Sequence, residues 1–336
     1  MRSLLAALAL VAVLAGCGGT TEVREPPLQS TGEAPTTQPG PAGAEDDDLR
    51  IWVVTHGQAA SPFWAIVRNG VEAAAREMDV PVSYRAPDIY SLERMRRLID
   101  AAIASRPAGL VVSLPERAIR SSVRKAVQEG IPVVTINSGA DRYRGLGVLA
   151  HVGQPERRAG LQAGRRLARA GARTALCVNL EIPNQGLDAR CRGLERAMRE
   201  VGGRSRVIRV DDQNPAAGAT IAAAVRERGF DAVLALNSTG GLLAIDGLAS
   251  LPPSQRPVVA TFDLGPEVLT AVRDGRLAFA VDQQAYLQGF LPVVLLVQRA
   301  RYGLFPAGRE LIATGPNFVT RSNARRVLEL SRRSIR

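Results

Sequence analysis

The chain has 336 residues, 46% of them hydrophobic and 22% charged, enough for two ordinary domains with cores of their own. Its formal net charge is +11, carried by arginine with Lys125 as the single lysine, and the arginines are scattered over many stretches instead of gathering among aromatics. That scatter argues against a nucleic-acid surface, and the one dense patch, Arg321, Arg325, Arg326, Arg332, Arg333 and Arg336, reads as a solvated helix end.

In chain order, the first element is a leader. Arg2 precedes the apolar run LLAALALVAVLAG, which has the length of a signal-peptide core and is too short to span a bilayer. The run closes on Leu14-Ala15-Gly16-Cys17, which resembles the lipobox of bacterial lipoproteins, where the cysteine takes the lipid. Residues 1–17 are therefore expected to be a lipoprotein signal peptide with Cys17 as the lipidated residue, placing the body outside the cytoplasm on a membrane anchor. Residues 18–48 are rich in Gly, Pro, Thr, Ala and acidic residues, lack apolar periodicity, and read as a disordered tether. Asp46, Asp47 and Asp48 fall in that stretch and read as solvated charge, not as a metal site. Export leaves Cys177 and Cys191 as an even pair in an oxidising compartment. A disulfide closing a loop of about 15 residues, worth about 3 kcal/mol, and two buried thiols both fit the sequence.

From residue 50, strands and helices alternate. The strand IWVVTH is followed by a helix over 62–78, PVSYR by one over 91–105, and GLVVS by one over 116–129. Two strands, IPVVTI and GVLAHVG, precede a helix over 155–170. The rhythm then repeats: TALCVNL and a helix over 187–201, RVIRV and 216–228, AVLAL and 239–250, PVVATF and 266–274, then LAFAV. A long helix over 284–302 contains Pro292, which should kink it or mark a start. ELIAT and NFVT are the last strands. Continuous apolar strands separated by helices predict parallel sheets covered on both faces. Their number predicts an α/β chain of two doubly wound lobes, divided near 151–153.

The familiar catalytic and cofactor motifs do not fit. Gly145-Leu146-Gly147-Val148-Leu149-Ala150 mimics a dinucleotide fingerprint, but it precedes a strand, whereas a phosphate loop must follow one and open a helix. There is no P-loop, HExxH or GxSxG, and His56 and His151 stand far apart as the only histidines. No catalytic residue, metal site or cofactor is assigned.

A run of local matches carries a family resemblance. SPFW at the first helix, GLVVSLPE, GIPVVTIN, HVGQPERRAG, RCRGL, ALN, ATFD and VDQQAYLQG occur in order. Across about residues 50–320 the body resembles the periplasmic ribose-type sugar-binding proteins, the type I periplasmic binding proteins that serve ABC importers. The resemblance implies two lobes joined by a three-strand hinge near Gly153, Gln283 and Ala313. On that basis 49–152 plus 284–312 form the N-terminal lobe, and 153–283 plus 313–336 the C-terminal lobe. It further implies a monomer that closes on one sugar and docks on a membrane permease whose ATPase is a separate chain, with no nucleic-acid partner. Two departures concern the ligand: Ser61 stands where the family often has Asn, and the fourth strand ends in Asn137, not Asp.

Ligands of open α/β sheets sit beyond the carboxyl ends of the strands. The residues expected there are Ser61, Phe63, Trp64, Ser113 and Asn137 in the first lobe, and Arg190, Asn237, Phe262, Asp263 and Gln283 in the second; the resemblance selects the same positions. Carboxylate, guanidinium and amide groups suit a polyol, whose hydroxyls both donate and accept, and aromatic faces suit its C–H faces. Trp64 is expected to stack on the ring, Phe63 to line the wall and Phe262 to add a face. Each has a structural alternative: Asp263 and Asn237 could cap helices, and Ser113 could be a turn residue. His56 reads as structural. Two other functions share these residues. A sensory receptor could present a sugar or autoinducer to a membrane kinase, and an exported enzyme would need an acid–base pair in the cleft.

Overall fold

The computed structural model describes residues 49–57, 61–181, 184–211, 214–306, 310–333 and 335–336. The leader, Cys17 and the tether lie outside the described residues. Everything described belongs to one compact unit within Thr37–Arg336.

The first sheet is parallel throughout and runs in the order β2-β1-β3-β4-β5-β11: β2 (Val82–Arg85), β1 (Ile51–Val54), β3 (Gly109–Ser113), β4 (Val133–Ile136), β5 (Ala150–Gly153) and β11 (Leu311–Ala313). The second repeats the order as β7-β6-β8-β9-β10-β12: β7 (Arg204–Arg209), β6 (Thr174–Asn179), β8 (Ala232–Ala235), β9 (Val258–Phe262), β10 (Phe279–Asp282) and β12 (Asn317–Val319). Only β12 departs, pairing antiparallel with β10. Central strands such as β3, β4 and β8 are buried at every residue, which is why they read as unbroken apolar runs. The outer strand β7, RSRVIR, exposes Arg204, Arg206 and Arg209, which blunts a free edge.

Helices cover both faces of each sheet and create four buried clusters. One packs β1, β3 and β4 against α1 (Pro62–Glu77) and α9 (Ala285–Tyr302); the opposite face meets α2 (Leu92–Ala104) and α3 (Arg120–Gln128). In the second sheet α4 (Glu156–Arg169) and α5 (Gln185–Glu200) cover one face. The other is covered by α6 (Ala217–Arg228), α7 (Ser238–Leu248), α8 (Pro266–Arg273) and α10 (Ala324–Ser331). Thus α4 leaves β5 of the first sheet and packs on α5 of the second lobe, while α9 leaves β10 of the second sheet and packs on α1 of the first. Both swapped helices approach their partners through glycine. A Cβ on Gly160 would lie 2.0 Å from Arg190 O, and one on Gly289 2.0 Å from Val67 O.

The elements differ from the sequence expectations at informative points. Helix α5 begins at Gln185 instead of 187 because Asn184 caps it, its side chain accepting from Gly186 N. The expected helix at 116 starts as a short 3₁₀ turn, Arg117–Ile119, before α3. Strand β7 starts at Arg204, earlier than its apolar run, because it stays in register with β6 from Thr174 onward. Helix α9 runs unbroken through Pro292; its packing on α1 holds a helix that the missing N–H weakens.

Candidate ligand-binding site

Two equivalent strand ends face each other across the lobes. Asn137 follows β4 and Asp263 follows β9, and both adopt left-handed backbone, with φ of 62° and 66°. Asn and Asp tolerate that conformation better than other non-glycine residues, which turns each chain sharply at its sheet edge. Between them lies a cavity of about 460 Å³, lined from both lobes.

A hydrogen-bonded line crosses its floor. Asn137 Nδ2 donates to Gln288 Oε1 (3.1 Å), Gln288 Nε2 donates to Gln283 Oε1 (3.1 Å), and Gln283 Nε2 donates to Asp263 Oδ1 (2.6 Å). Gln288 also reaches Thr314 Oγ1 at 3.1 Å, so one amide ties β4, the β10–α9 crossing and the β11–β12 crossing together. Gln288 is fully buried inside α9 and was not anticipated; a glutamine at an apolar helix position was the available signal. His151 supports the same floor, with its Nε2 3.1 Å from Asn137 O.

Arg190 enters from α5. Its Nε and Nη2 donate to Glu156 Oε2 and Oε1 at 2.6 and 3.0 Å, and Nη1 donates to Leu236 O at 2.7 Å. The pair is buried, with side chains 3% and 5% exposed. Burial alone pulls the Arg190 pKa down; Glu156 more than offsets it, and the guanidinium is held charged above its ordinary value. With five N–H groups and three occupied, two remain for the cavity. Burial pushes the Asp263 carboxyl up to about 7, despite the opposing pull of Arg190 and Gln283, and Glu181 and Glu156 push it further.

The first-lobe wall is aromatic. Phe63 and Trp64 both line the cavity and meet edge to face at 5.1 Å. Trp64 is only 6% exposed and packs against Gly57, where a Cβ would lie 1.6 Å from its Nε1, so it is as much core as wall; Phe63 keeps more surface open. His56 and Tyr90 complete this wall. The His56 backbone N–H donates to Ser113 Oγ at 2.9 Å, and that hydroxyl sits 2.8 Å from the ring Nδ1. Burial drives the His56 pKa down to about 3, and the ring is neutral.

Of the residues expected from sequence, Ser61, Phe63, Trp64, Asn137, Arg190, Asn237, Asp263 and Gln283 line the cavity. Asn237 also caps α7, accepting from Gly240 N at 2.8 Å. Two of the expected residues, Phe262 and Ser113, do not line it. Phe262 is 0% exposed and belongs to the core beneath α4 and α5, because strand alternation turns it into the sheet face; the Arg190 guanidinium sits 4.3 Å above its ring. Ser113 is the last residue of β3, fully buried, and touches the cavity only through His56. Sequence reasoning missed His56, Tyr90, Glu181 and Asn184 on the wall. Asn184 also bridges the lobes, its Oδ1 accepting from Ser138 Oγ at 3.2 Å. Behind the wall, Cys177 in β6 and Cys191 in α5 form a disulfide, their Cα atoms 5.8 Å apart, next to Arg190 in sequence. Among the described residues no group of three His, Cys, Asp or Glu side chains could hold a metal ion.

Known proteins share this architecture. The family described as periplasmic binding protein domain matches residues 51–303. The chain is 26% identical over 326 residues to the xylose/arabinose-binding protein XylF of Sulfolobus acidocaldarius, covering 90% of this chain and 79% of that one. It is 30% identical to a carbohydrate transporter from Acidothermus cellulolyticus 11B solved with myo-inositol, with a TM-score of 0.79 over 86% of this chain and 99% of that one. A periplasmic sugar-binding protein from Legionella pneumophila, at 23% identity, shares the fold with a TM-score of 0.73 over 80% and 99% of the two chains.

Proposed function

The chain belongs to the periplasmic binding protein domain family, and from that premise we propose that it is an extracytoplasmic receptor for a monosaccharide or related polyol, which it delivers to the permease of an ABC importer. One observation carries the reading. A cavity of about 460 Å³ at the carboxyl ends of both sheets combines an aromatic wall with Asn137, Asn237, Gln283, Asp263 and Arg190. That mixture matches a sugar ring, whose C–H faces need apolar cover and whose hydroxyls need partners that both give and accept. The volume suits one ring, not a polymer.

Lobe closure around the ligand is part of the proposal. Its polar contacts come from both lobes, so the closed form gains bonds that the open form lacks. The lipid on Cys17 is proposed to hold the receptor at the outer face of the membrane. No chemical step is assigned: the cavity's one histidine is held neutral against Ser113, and Asp263 is engaged by Gln283.

The test is isothermal titration of the full-length protein against pentoses, hexoses and inositols, with sugar analysis of the recovered ligand. Saturable binding with the sugar recovered unchanged is expected. Silence across the panel refutes the receptor reading, and turnover of a bound sugar refutes the absence of a chemical step.

A further inference from the structure

A second groove lies apart from the sugar cavity, where the loop after β4 of the first sheet meets α4 and α5. It has a volume of about 480 Å³ and is lined by Arg157, Arg158, Arg192 and Arg196 with two carboxylates, Asp141 and Glu156. Glu156 is committed to Arg190. Arg196 has Glu200 at 3.5 Å, on its own helix. Asp141 has 61% of its side chain exposed and comes no closer than 3.6 Å to Nη1 of its neighbour Arg142.

Arg142 sets this junction apart from an ordinary basic surface. Its side chain is only 10% exposed, and its Nε and Nη2 are buried with no hydrogen-bond partner among the described residues. Those two nitrogens form the edge with which a guanidinium grips two oxygens of one anion. Desolvated N–H groups without an acceptor are costly. The surrounding charges are of the same sign and come from both lobes. Burial lowers the Arg142 pKa, Asp141 opposes this, and Arg117 and Arg120 of the first lobe and Arg192 of α5 lower it further. Arg120 is fixed beside it by donating from Nη1 to Arg142 O.

We propose that this junction binds a small, multiply charged oxyanion of the phosphate class. Two of its oxygens take the Nε and Nη2 edge of Arg142, Arg192 adds a contact from the second lobe, and Asp141 is the carboxylate it displaces. Asp141 and Arg192 have exposed side chains that shift to admit it. A dianion answers several guanidinium groups at once, and the bidentate grip gives the site its selectivity. The site lies outside the cleft and does not depend on which sugar the cleft takes.

Full-length protein in nonionic detergent is titrated calorimetrically with inorganic phosphate at about pH 8, where phosphate is a dianion, with ionic strength held constant by chloride. One phosphate per chain is expected, with Kd at or below about 1 mM. Arg142→Lys keeps the charge and loses the fork, and is expected to weaken binding about tenfold or more. Arg192→Gln alters an exposed side chain and should weaken it by about tenfold, whereas Asp141→Asn removes the competing carboxylate and should tighten it. Arg325→Gln, in the basic patch at the end of the chain, should leave it unchanged. Glycerophosphoglycerol, a soluble lipid headgroup carrying a single charge, is expected to bind at least about tenfold more weakly than phosphate. No saturation by about 10 mM phosphate, or an equal loss in Arg325→Gln and Arg192→Gln, overturns the site. A diester bound as tightly as phosphate overturns the assignment to a small dianion in favour of a lipid headgroup.

Discussion

Removing one carboxylate behind the cavity tests its electrostatics most directly. Glu156→Gln keeps the shape of the side chain and deletes its charge. Arg190 cannot lose its proton, so a buried guanidinium is left without its main counter-charge. The wild-type pair makes hydrogen bonds of 2.6 and 3.0 Å with both side chains almost completely buried. At an effective dielectric of about 20 and roughly 4 Å between charge centres, the attraction is about 4 kcal/mol. Breaking buried pairs from one side costs about 3–5 kcal/mol. Asp263 is the next carboxylate in range of Arg190 and offers partial compensation, so the lower end, about 3 kcal/mol, is expected. For a body of this size that lowers Tm by roughly 5 °C in differential scanning calorimetry. The double variant Glu156→Leu with Arg190→Met removes both charges. It should recover most of the stability while losing ligand affinity, because the pair serves the site more than the fold. A Tm drop below about 3 °C for Glu156→Gln would refute the view that Arg190 is charged and desolvated.

Three further outcomes follow from the same geometry. Asp263 titrates near 7 when folded and near 3.8 ordinarily. The folded state therefore binds more protons between those values, and stability is full below about 3.8, declines as pH rises and levels off above 7. Asp263→Asn should remove the decline, so its Tm advantage over wild type grows between pH 5 and pH 8; an unchanged difference refutes the assignment. Reducing the Cys177–Cys191 disulfide, which spans 14 residues of sequence, should cost about 3 kcal/mol, or roughly 5 °C in Tm. Two free thiols found by mass spectrometry on unreduced protein would contradict it. Gly160→Ala places a methyl 2.0 Å from Arg190 O, and is expected to cost about 1–3 kcal/mol by overpacking. Because α5 must shift, ligand affinity should fall with it; a variant as stable and as tight-binding as wild type would show that α4 has room to move.

Local rules made much of the fold legible in sequence. Strands buried on both faces have no polar side, so GLVVS and IPVVTI announce a covered parallel sheet by themselves. Proline at the first helical position and Asn at the cap marked where α1 and α7 begin. Residues at strand ends, such as Asn137 and Asp263, were legible for a related reason. The chain must turn there, and Asn or Asp after an apolar run marks the turn.

Tertiary structure decided what a strand-end rule leaves open. Phe262 and Asp263 are adjacent, yet one enters the core and the other the cavity, since Phe262 is the last residue of β9 and Asp263 leaves the strand in left-handed backbone. Ser113 and His56 exchange the roles expected of them: the hydroxyl is sealed beneath the ring it positions. Gln288 joins the floor only because α9 returns from the second sheet to the first lobe. The partnership of Glu156 with Arg190 spans 34 residues and depends on Gly160, which lets α4 lie directly on α5. The sequence by itself determined the alternation of buried strands and covering helices, because that depends on each residue's own chemistry and its near neighbours. Which side chains share the cavity depends on distances between segments far apart in the chain, and only their packing decides them.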